Sequence, residues 1–262
     1  MKDTITPDIN VKLEPVKIDN KAYFKISNSN RMRPFFMSIV SDSDHWMFIS
    51  SNGGLTAGRK NSEYSIFPYY SDDKITESSE ITGSKSIFQV TKNGEKYIWE
   101  PFSIRFQDNY NTRCNLYKSV YGNSVIFEEE NLDLNLVYSY EWCSSDKYGF
   151  VKKSTLSNKG VSPVEVNVLD GIQNVLPYGV NSALQNASSN LVDAYKRTEL
   201  VKETGIGIFA LSAIIVDKAE PSEALKANVA WSLGIENPNY LLSSLQLDKF
   251  RNFGDVHLET DV

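Results

Sequence analysis

The fold is decided by residues 113–142, which read RCNLYKSVYGNSVIFEEENLDLNLVYSYEW. Two strand-like runs, Arg113–Tyr121 and Ser124–Glu129, meet at the turn pair Gly122-Asn123. A third run, Leu132–Trp142, alternates apolar and polar residues, which is the pattern of a strand with one buried face. These runs predict neighbouring strands of one antiparallel sheet.

Strand and turn signals continue on both sides of this region. Upstream, Asp19-Asn20 and Asn93-Gly94 are hairpin-type turn pairs between strand-like runs. Downstream, Phe150–Leu156 and Val164–Val168 are further strand-like runs. Many short strands with few helices indicate a sandwich or barrel and argue against α/β folds, in which strands and helices alternate. We therefore expect an all-β fold, a large antiparallel sandwich of two sheets.

Two segments have the apolar spacing of a helix. Ser182–Lys196 carries apolar residues three and four positions apart, and Asn181 or Ser182 is a suitable N-cap. Tyr240–Phe250 has similar spacing. The sequence thus predicts one inserted helix and a helical C-terminal segment. The longest apolar run, Gly205–Val216, is shorter than the ~20 residues that span a bilayer, and we expect a buried strand there.

Residues 56–86 are rich in loop signals, among them Gly58, Asn61, Pro68 and Gly83, so we expect a long loop, of the kind that is often functional. The preceding segment Gly53–Lys60 resembles a phosphate-binding loop. It departs from that motif because Arg59 and Lys60 stand where lysine and then serine or threonine are needed. We therefore do not expect a nucleotide site.

The segment Glu63–Lys74, EYSIFPYYSDDK, is the best candidate site in the sequence. A sugar ring has an apolar face that can stack on tyrosine and a polar rim that charged side chains can hydrogen-bond. The alternative is a loop that packs its tyrosines onto the sandwich. The candidate carbohydrate-binding residues are Arg59, Tyr69, Tyr70, Asp72, Asp73 and Lys74.

Composition and charge exclude several classes of partner. The chain has 262 residues, of which 41% are hydrophobic and 12% aromatic, as in a packed globular protein. Its net charge of −6 lacks the positive field that nucleic acid or an anionic membrane attracts. The N-terminal stretch MKDTITPDINVKLEP has no apolar core of the signal-peptide type. The sequence thus predicts a cytoplasmic protein.

The residues that usually carry metals or catalysis are scarce. His45 and His257 lie far apart in the sequence without a nearby cysteine, so we expect no metal site and no cofactor. Cys114 and Cys143 lie in strand-like runs and are expected to be reduced and buried, although a bridge between adjacent strands is an alternative. We interpret Glu128–Glu130 as a solvated hairpin end rather than as catalytic carboxylates. No catalytic residue is therefore assigned.

Several stretches resemble a known family. They are Ser50–Arg59, Phe67–Ile75, Leu169–Gly179, Ala194–Leu200 and the segment from Glu220–Leu225 through Trp231-Ser232. They resemble the N-terminal part of large bacterial proteins that are similar to cellobiose and chitobiose phosphorylases, the inverting glycoside phosphorylases. The resemblance spans roughly residues 35–235, most of the chain.

The resemblance implies a β-supersandwich of the galactose-mutarotase type over residues 1–236. It implies that residues 237–262 begin a helical linker toward an (α/α)6 catalytic barrel, which would supply the catalytic acid and most of the phosphate site. This chain would then be a non-catalytic domain of a glycoside phosphorylase or hydrolase. Its expected roles are domain docking, homodimer formation and contact with an oligosaccharide or sugar phosphate.

Two alternatives remain open at the level of sequence. A stand-alone carbohydrate-binding module would show a shallow aromatic platform. A small sugar-acting enzyme of the mutarotase type would show an open cleft with clustered carboxylates or histidines on a sheet face, although fold likeness alone does not establish that activity. The domain interpretation instead predicts a large exposed apolar patch.

Overall fold

A computed structural model describes residues 10–213 and 226–262. The chain is mainly β, with 44% strand and 15% helix, and its sheets are antiparallel. This confirms the all-β fold class. Among the described residues, no helix combines the length and apolar character needed to cross a membrane.

The described part of the chain contains the following strands and helices in order. The strands are β1 Lys12–Ile18, β2 Lys21–Ser27, β3 Phe36–Ile39, β4 His45–Ser50, β5 Leu55–Arg59, β6 Gly83–Lys92, β7 Glu95–Trp99, β8 Thr112–Ser119, β9 Ser124–Asn131, β10 Leu136–Ser145, β11 Gly149–Asn158, β12 Glu165–Gln173, β13 Lys196–Val201, β14 Ile206–Leu211 and β15 Asn228–Ala230. The α-helices are α1 Asp72–Glu77, α2 Ser182–Tyr195 and α3 Leu247–Arg251.

The main core lies between two layers of strands. One layer is a six-stranded sheet with the order β1-β2-β8-β9-β10-β11, and the other consists of two three-stranded sheets, β3-β4-β5 and β12-β6-β7. Phe127 and Tyr140 of the first layer share one buried cluster with Ile49 and Phe88 of the second. The second layer is thus two separately hydrogen-bonded sheets rather than one.

A smaller unit packs beside the sandwich. Strands β13-β14-β15 form a three-stranded sheet. A separate apolar cluster joins Val192 of α2 to Leu211 of β14, together with Leu176 and Val180. Phe209 of β14 also packs against the main core, so the small sheet is attached to the sandwich.

The predicted hairpins are present, and the strand predicted to begin at Leu132 begins later. Asp19-Asn20 and Asn93-Gly94 adopt positive φ and connect β1 to β2 and β6 to β7. Strand β10 begins at Leu136, not at Leu132, because Leu136 pairs with Asn131 and the four residues between them must reverse the chain. Within this turn, Leu134 still points into the core, where it is buried.

The long loop expected over residues 56–86 is partly regular structure. Leu55–Arg59 is strand β5, Asp72–Glu77 is helix α1, and β6 already begins at Gly83. Gly58 suggested a loop, yet it is needed within the strand, because a Cβ there would come within 2.5 Å of the Trp46 ring. Close packing, rather than chain reversal, explains this glycine.

The inserted helix is present but kinked at Ser188, whose backbone is not helical, and the C-terminal helix is shorter than predicted. The Asn181 side chain caps α2 by accepting a hydrogen bond from the Leu184 N–H at 2.8 Å. Residues 240–246 are not helical because the Glu259 carboxylate accepts hydrogen bonds from the Leu242 and Ser243 N–H groups. Those N–H groups are therefore satisfied without a helix.

The expected strand Gly205–Val216 appears as β14, Ile206–Leu211. Residues 214–216 and the family-like segment Glu220–Leu225 lie outside the described residues.

The C-terminal segment is held at two places, one on the sandwich and one on the small sheet. Arg251 of α3 donates to both oxygens of the Glu100 carboxylate at 2.7 and 2.8 Å. Val262 and Thr198 exchange two backbone hydrogen bonds of 2.9 Å, which adds the chain end to β13. That residues 237–262 lead to a further domain stays a prediction.

Candidate functional site

Arg59 is the first of the predicted sugar-binding residues. It ends β5, and its guanidinium donates two hydrogen bonds of 3.1 and 3.0 Å to one carboxylate oxygen of Asp44. These bonds hold the pKa of Asp44 below its usual value. Both side chains remain solvent-accessible, so the pair presents charge and hydrogen-bonding groups at the surface.

Tyr69 and Tyr70 are partly packed and partly exposed. The Tyr69 ring stands edge-on to Trp46 with centroids 5.6 Å apart, and the Tyr69 N–H donates to the side chain of Gln185. Tyr69 and Tyr70 are nevertheless 37% and 40% exposed. The packing interpretation therefore accounts for one edge of Tyr69 and leaves much of its surface open to a ligand.

The three charged candidates of helix α1 make local contacts. The Ser71 hydroxyl donates to Asp73 at 2.5 Å, and this bond lowers the pKa of the Asp73 carboxyl. Lys74 forms an exposed ion pair with Glu77 at 3.1 Å. Asp72 and Asp73 occupy the first helical turn, where the helix dipole favours negative charge. In the described part of the chain, no hydrogen bond joins these residues to Arg59 or to the tyrosines.

The structure places a row of aromatic rings beside Tyr69. The rings of Phe36 and Phe48 are stacked with centroids 6.0 Å apart, Phe48 contacts Trp46 at 5.9 Å, and Trp46 contacts Tyr69. We call these four residues the aromatic surface. They lie on the outer face of β3–β5, because Met47 and Ile49, which alternate with them along β4, point into the core.

Sequence reasoning missed Trp46 and Phe48 as site residues. Strand β4 reads HWMFIS and is apolar on both faces, whereas a strand with one solvated face should alternate. The apolar residues on the outer face of β4 were therefore the sequence signal that could have identified Trp46 and Phe48. The pairing of β4 with β5 makes room for the Trp46 ring on the outer face. Trp46 is paired with Gly58, and its ring lies across that glycine. Phe48 is left 37% exposed.

A second site candidate lies on the opposite layer, on the outer face of the six-stranded sheet. There the strands form an open concavity of about 540 Å³, which we call the sheet cleft. Its lining residues are almost all polar. They are Asn10, Lys12, Glu14, Lys25, Ser27, Asn28, Arg113, Asn115, Glu128, Glu130, Val137, Ser139, Ser157 and Lys159.

The expected solvated hairpin end Glu128–Glu130 is instead part of strand β9, and that interpretation was wrong. Because side chains alternate along a strand, Glu128 and Glu130 line the sheet cleft whereas Glu129 points into the core. The Glu128 carboxylate accepts hydrogen bonds from Asn115 at 2.8 Å and Tyr117 at 2.7 Å. The sequence of three consecutive glutamates does not show which of them face the cleft and which one faces the core.

Glu129 has a structural role between the layers. Its carboxylate accepts hydrogen bonds from the indole N–H of Trp99 at 2.8 Å and from the Phe102 N–H at 2.7 Å. Burial raises the pKa of this carboxyl above its usual value. Phe102 has a φ of 62°, so the hydrogen bond to Glu129 also holds a left-handed turn in place.

The histidines and cysteines do not form a reactive cluster in the described residues. His45 is hydrogen-bonded to Ser43 at 2.6 Å and stands edge-on to Phe150, and burial lowers the pKa of its imidazole. Cys114 and Cys143 are free thiols; Cys114 is buried and Cys143 is half-buried. Within residues 10–213 and 226–262, no group of three potential ligands could hold a metal ion.

Comparison with known proteins gives no match to a family model or to a curated protein.

Proposed function

We propose that this chain is a non-catalytic sandwich domain of a carbohydrate-active enzyme and that it contacts an oligosaccharide or sugar phosphate through the aromatic surface. The observation that carries the proposal is the row of four contacting rings on the outer face of β3–β5. The apolar face of a pyranose can pack on such rings while its hydroxyl groups meet polar side chains at the edge.

The polar groups nearest the rings come from the loop before α1 rather than from β5. Arg59 pairs with His45 in the β4–β5 ladder, one position from the pair formed by Trp46 and Gly58, so alternation along the strand directs its side chain to the other face of the sheet. We therefore do not include Arg59 or its ion pair with Asp44 in the aromatic surface. Tyr70 adds a further exposed phenol next to Tyr69.

The proposed role within a larger enzyme has separate support. Four apolar residues that lie close together in the chain, Val229, Trp231, Leu233 and Ile235, are 52%, 43%, 88% and 50% exposed. Exposed apolar residues this close in sequence favour an interaction surface. We propose that they dock the expected helical catalytic domain or a second copy of the chain. The free thiols fit a reducing compartment, so we propose a cytoplasmic location.

The test compares wild-type protein with Tyr69→Ala. The binding of cellotetraose and of chitotetraose to each is measured through the change in tryptophan fluorescence. Tyr69 is partly exposed and contacts Trp46, so its removal should weaken binding by about 1–2 kcal/mol, roughly 5- to 30-fold, and alter the fluorescence signal. Because Tyr69 is not in the main core cluster, the melting temperature should change little.

Tyr121→Ala is the matched control. Tyr121 is 81% exposed, lies in the β8–β9 turn, and should not affect binding when removed. The proposal fails if wild-type protein binds neither oligosaccharide. It also fails if Tyr69→Ala binds as wild type does while losing stability, because Tyr69 would then serve only packing.

A further inference from the structure

The sheet cleft has the size and setting of a small-molecule site. Its volume of about 540 Å³ falls within the range of ~300–1,000 Å³ that is typical of ligand pockets. It lies on the opposite layer of the sandwich from the aromatic surface. The two surfaces can therefore be occupied and mutated independently.

The register places hydrogen-bonding side chains in a row across the floor of the cleft. Ser27 pairs with Asn115, Asn115 with Glu128, and Glu128 with Ser139. Neighbouring strands lie ~4.8 Å apart, so a hydroxyl, an amide, a carboxylate and a second hydroxyl follow one another at that spacing. Such a row suits a ligand that carries hydroxyl groups around a compact ring or chain.

The carboxylates of the cleft already have protein partners. Glu128 accepts hydrogen bonds from Asn115 and Tyr117, and Glu130 forms an ion pair of 3.1 Å with Arg113. A cationic ligand that paired with either carboxylate would have to displace one of these partners. A neutral ligand can instead bind to the remaining lone pairs and N–H groups without breaking an existing bond.

Asn115 provides an independent sign of a missing hydrogen-bond donor. The residue is 6% exposed and lines the cleft. Its Nδ2 donates to Glu128, which fixes the orientation of the amide, because a flipped amide would turn its oxygen toward the carboxylate. The amide oxygen then accepts no hydrogen bond within the described chain. Buried polar atoms normally have a partner, so this acceptor calls for an O–H donor. Because the oxygen itself is buried, a donor in the cleft reaches it through a small shift of the Asn115 side chain or its neighbours.

We propose that the sheet cleft is a second binding site, which takes a neutral, hydroxyl-rich small molecule and recognises it by hydrogen bonds to Asn115, Glu128 and Ser139. Among the described residues, the lining of the cleft contains no aromatic side chain. Recognition there is therefore by hydrogen bonding without ring stacking, in contrast to the aromatic surface.

The test is a titration of ¹⁵N-labelled protein with glucose, cellobiose and sorbitol, observed at the side-chain amide of Asn115. At least one of the three should give a saturable shift at this amide. Ser157→Trp places a large ring in the cleft from strand β11 and should raise the Kd at least about tenfold. Ser139→Leu is a second variant that narrows the cleft from β10, in case the first does not fold.

Lys153→Trp is the matched control, since Lys153 is exposed on the same face of β11 but outside the cleft. It should leave the Kd unchanged, and so should Tyr69→Ala on the other layer. The proposal is overturned if no probe gives a saturable shift, or if folded Ser157→Trp and Ser139→Leu bind as wild type does. A loss of the Asn115 shift in Tyr69→Ala would also overturn it, because the aromatic surface would then be the only site.

Discussion

Replacing Arg251 by methionine should weaken the attachment of helix α3 to the sandwich and lower the free energy of unfolding. The Arg251 side chain is 11% exposed and donates to both oxygens of Glu100, whose side chain is fully buried. Methionine keeps most of the apolar length of the arginine but removes its charge and its donors. The substitution therefore leaves a buried carboxylate with one cationic partner fewer.

The magnitude follows from what remains at Glu100 after the substitution. Removing one partner of a buried ion pair costs about 3–5 kcal/mol, because the other charge stays buried without compensation. Lys85 still contacts Glu100 at 2.9 Å, so the loss should lie at the lower end, about 3 kcal/mol. With a urea m value of about 3 kcal/mol/M, the unfolding midpoint should fall by about 1 M.

Urea unfolding followed by circular dichroism measures this loss, and Lys74→Met is its matched control. Lys74 and Glu77 also form an ion pair, but their side chains are 61% and 66% exposed. Exposed pairs contribute at most about 1 kcal/mol, so the control should shift the midpoint little. If Arg251→Met cost no more than Lys74→Met, the buried pair would not hold α3, and the reasoning would be refuted.

Three further outcomes are expected. Burial raises the pKa of Glu100, but hydrogen bonds from its two cationic partners lower it more, leaving it below its usual value. The ionised Glu100 carboxylate therefore stabilises the folded protein fully above the ordinary glutamate pKa of ~4.3. This contribution is lost as the pH falls through the lower pKa that Glu100 has in the folded state. Glu100→Gln should accordingly destabilise the protein at about pH 7 and much less at about pH 2, in urea unfolding at each pH. Gly58→Ala should cost about 1–3 kcal/mol in thermal unfolding, since its Cβ would come within 2.5 Å of Trp46; an unchanged Tm would contradict the close approach. Burial raises the pKa of both cysteine thiols, so mass spectrometry after thiol labelling should find half-buried Cys143 modified before Cys114, which should react only on unfolding.

Several features of the fold could be predicted because they depend on neighbouring residues. The turn pairs Asp19-Asn20 and Asn93-Gly94 adopt the positive φ angles that such hairpins require. Helix α2 begins at the predicted Asn181 cap. These preferences act over a few residues, so the sequence contains all the information they need.

The errors arose where distant contacts override a local pattern. Gly58 suggested a loop, but in the structure it gives Trp46 room to cross a strand. Tyr240–Phe250 has helical spacing, yet Glu259 takes the N–H groups of Leu242 and Ser243. In both cases the deciding partner is several residues away, and its position depends on the completed fold.

The sequence by itself determined that this chain is mainly β and where many of its hairpins turn, and it led us to predict sugar contact at Tyr69. Only the tertiary structure decided which residues join Tyr69, because Trp46 reaches it through the pairing of β4 with β5. It also decided that Glu128 and Glu130 line a cleft while Glu129 enters the core. The physical reason is that alternation along a strand separates the two faces, whereas only the stacking of the layers determines which face is covered.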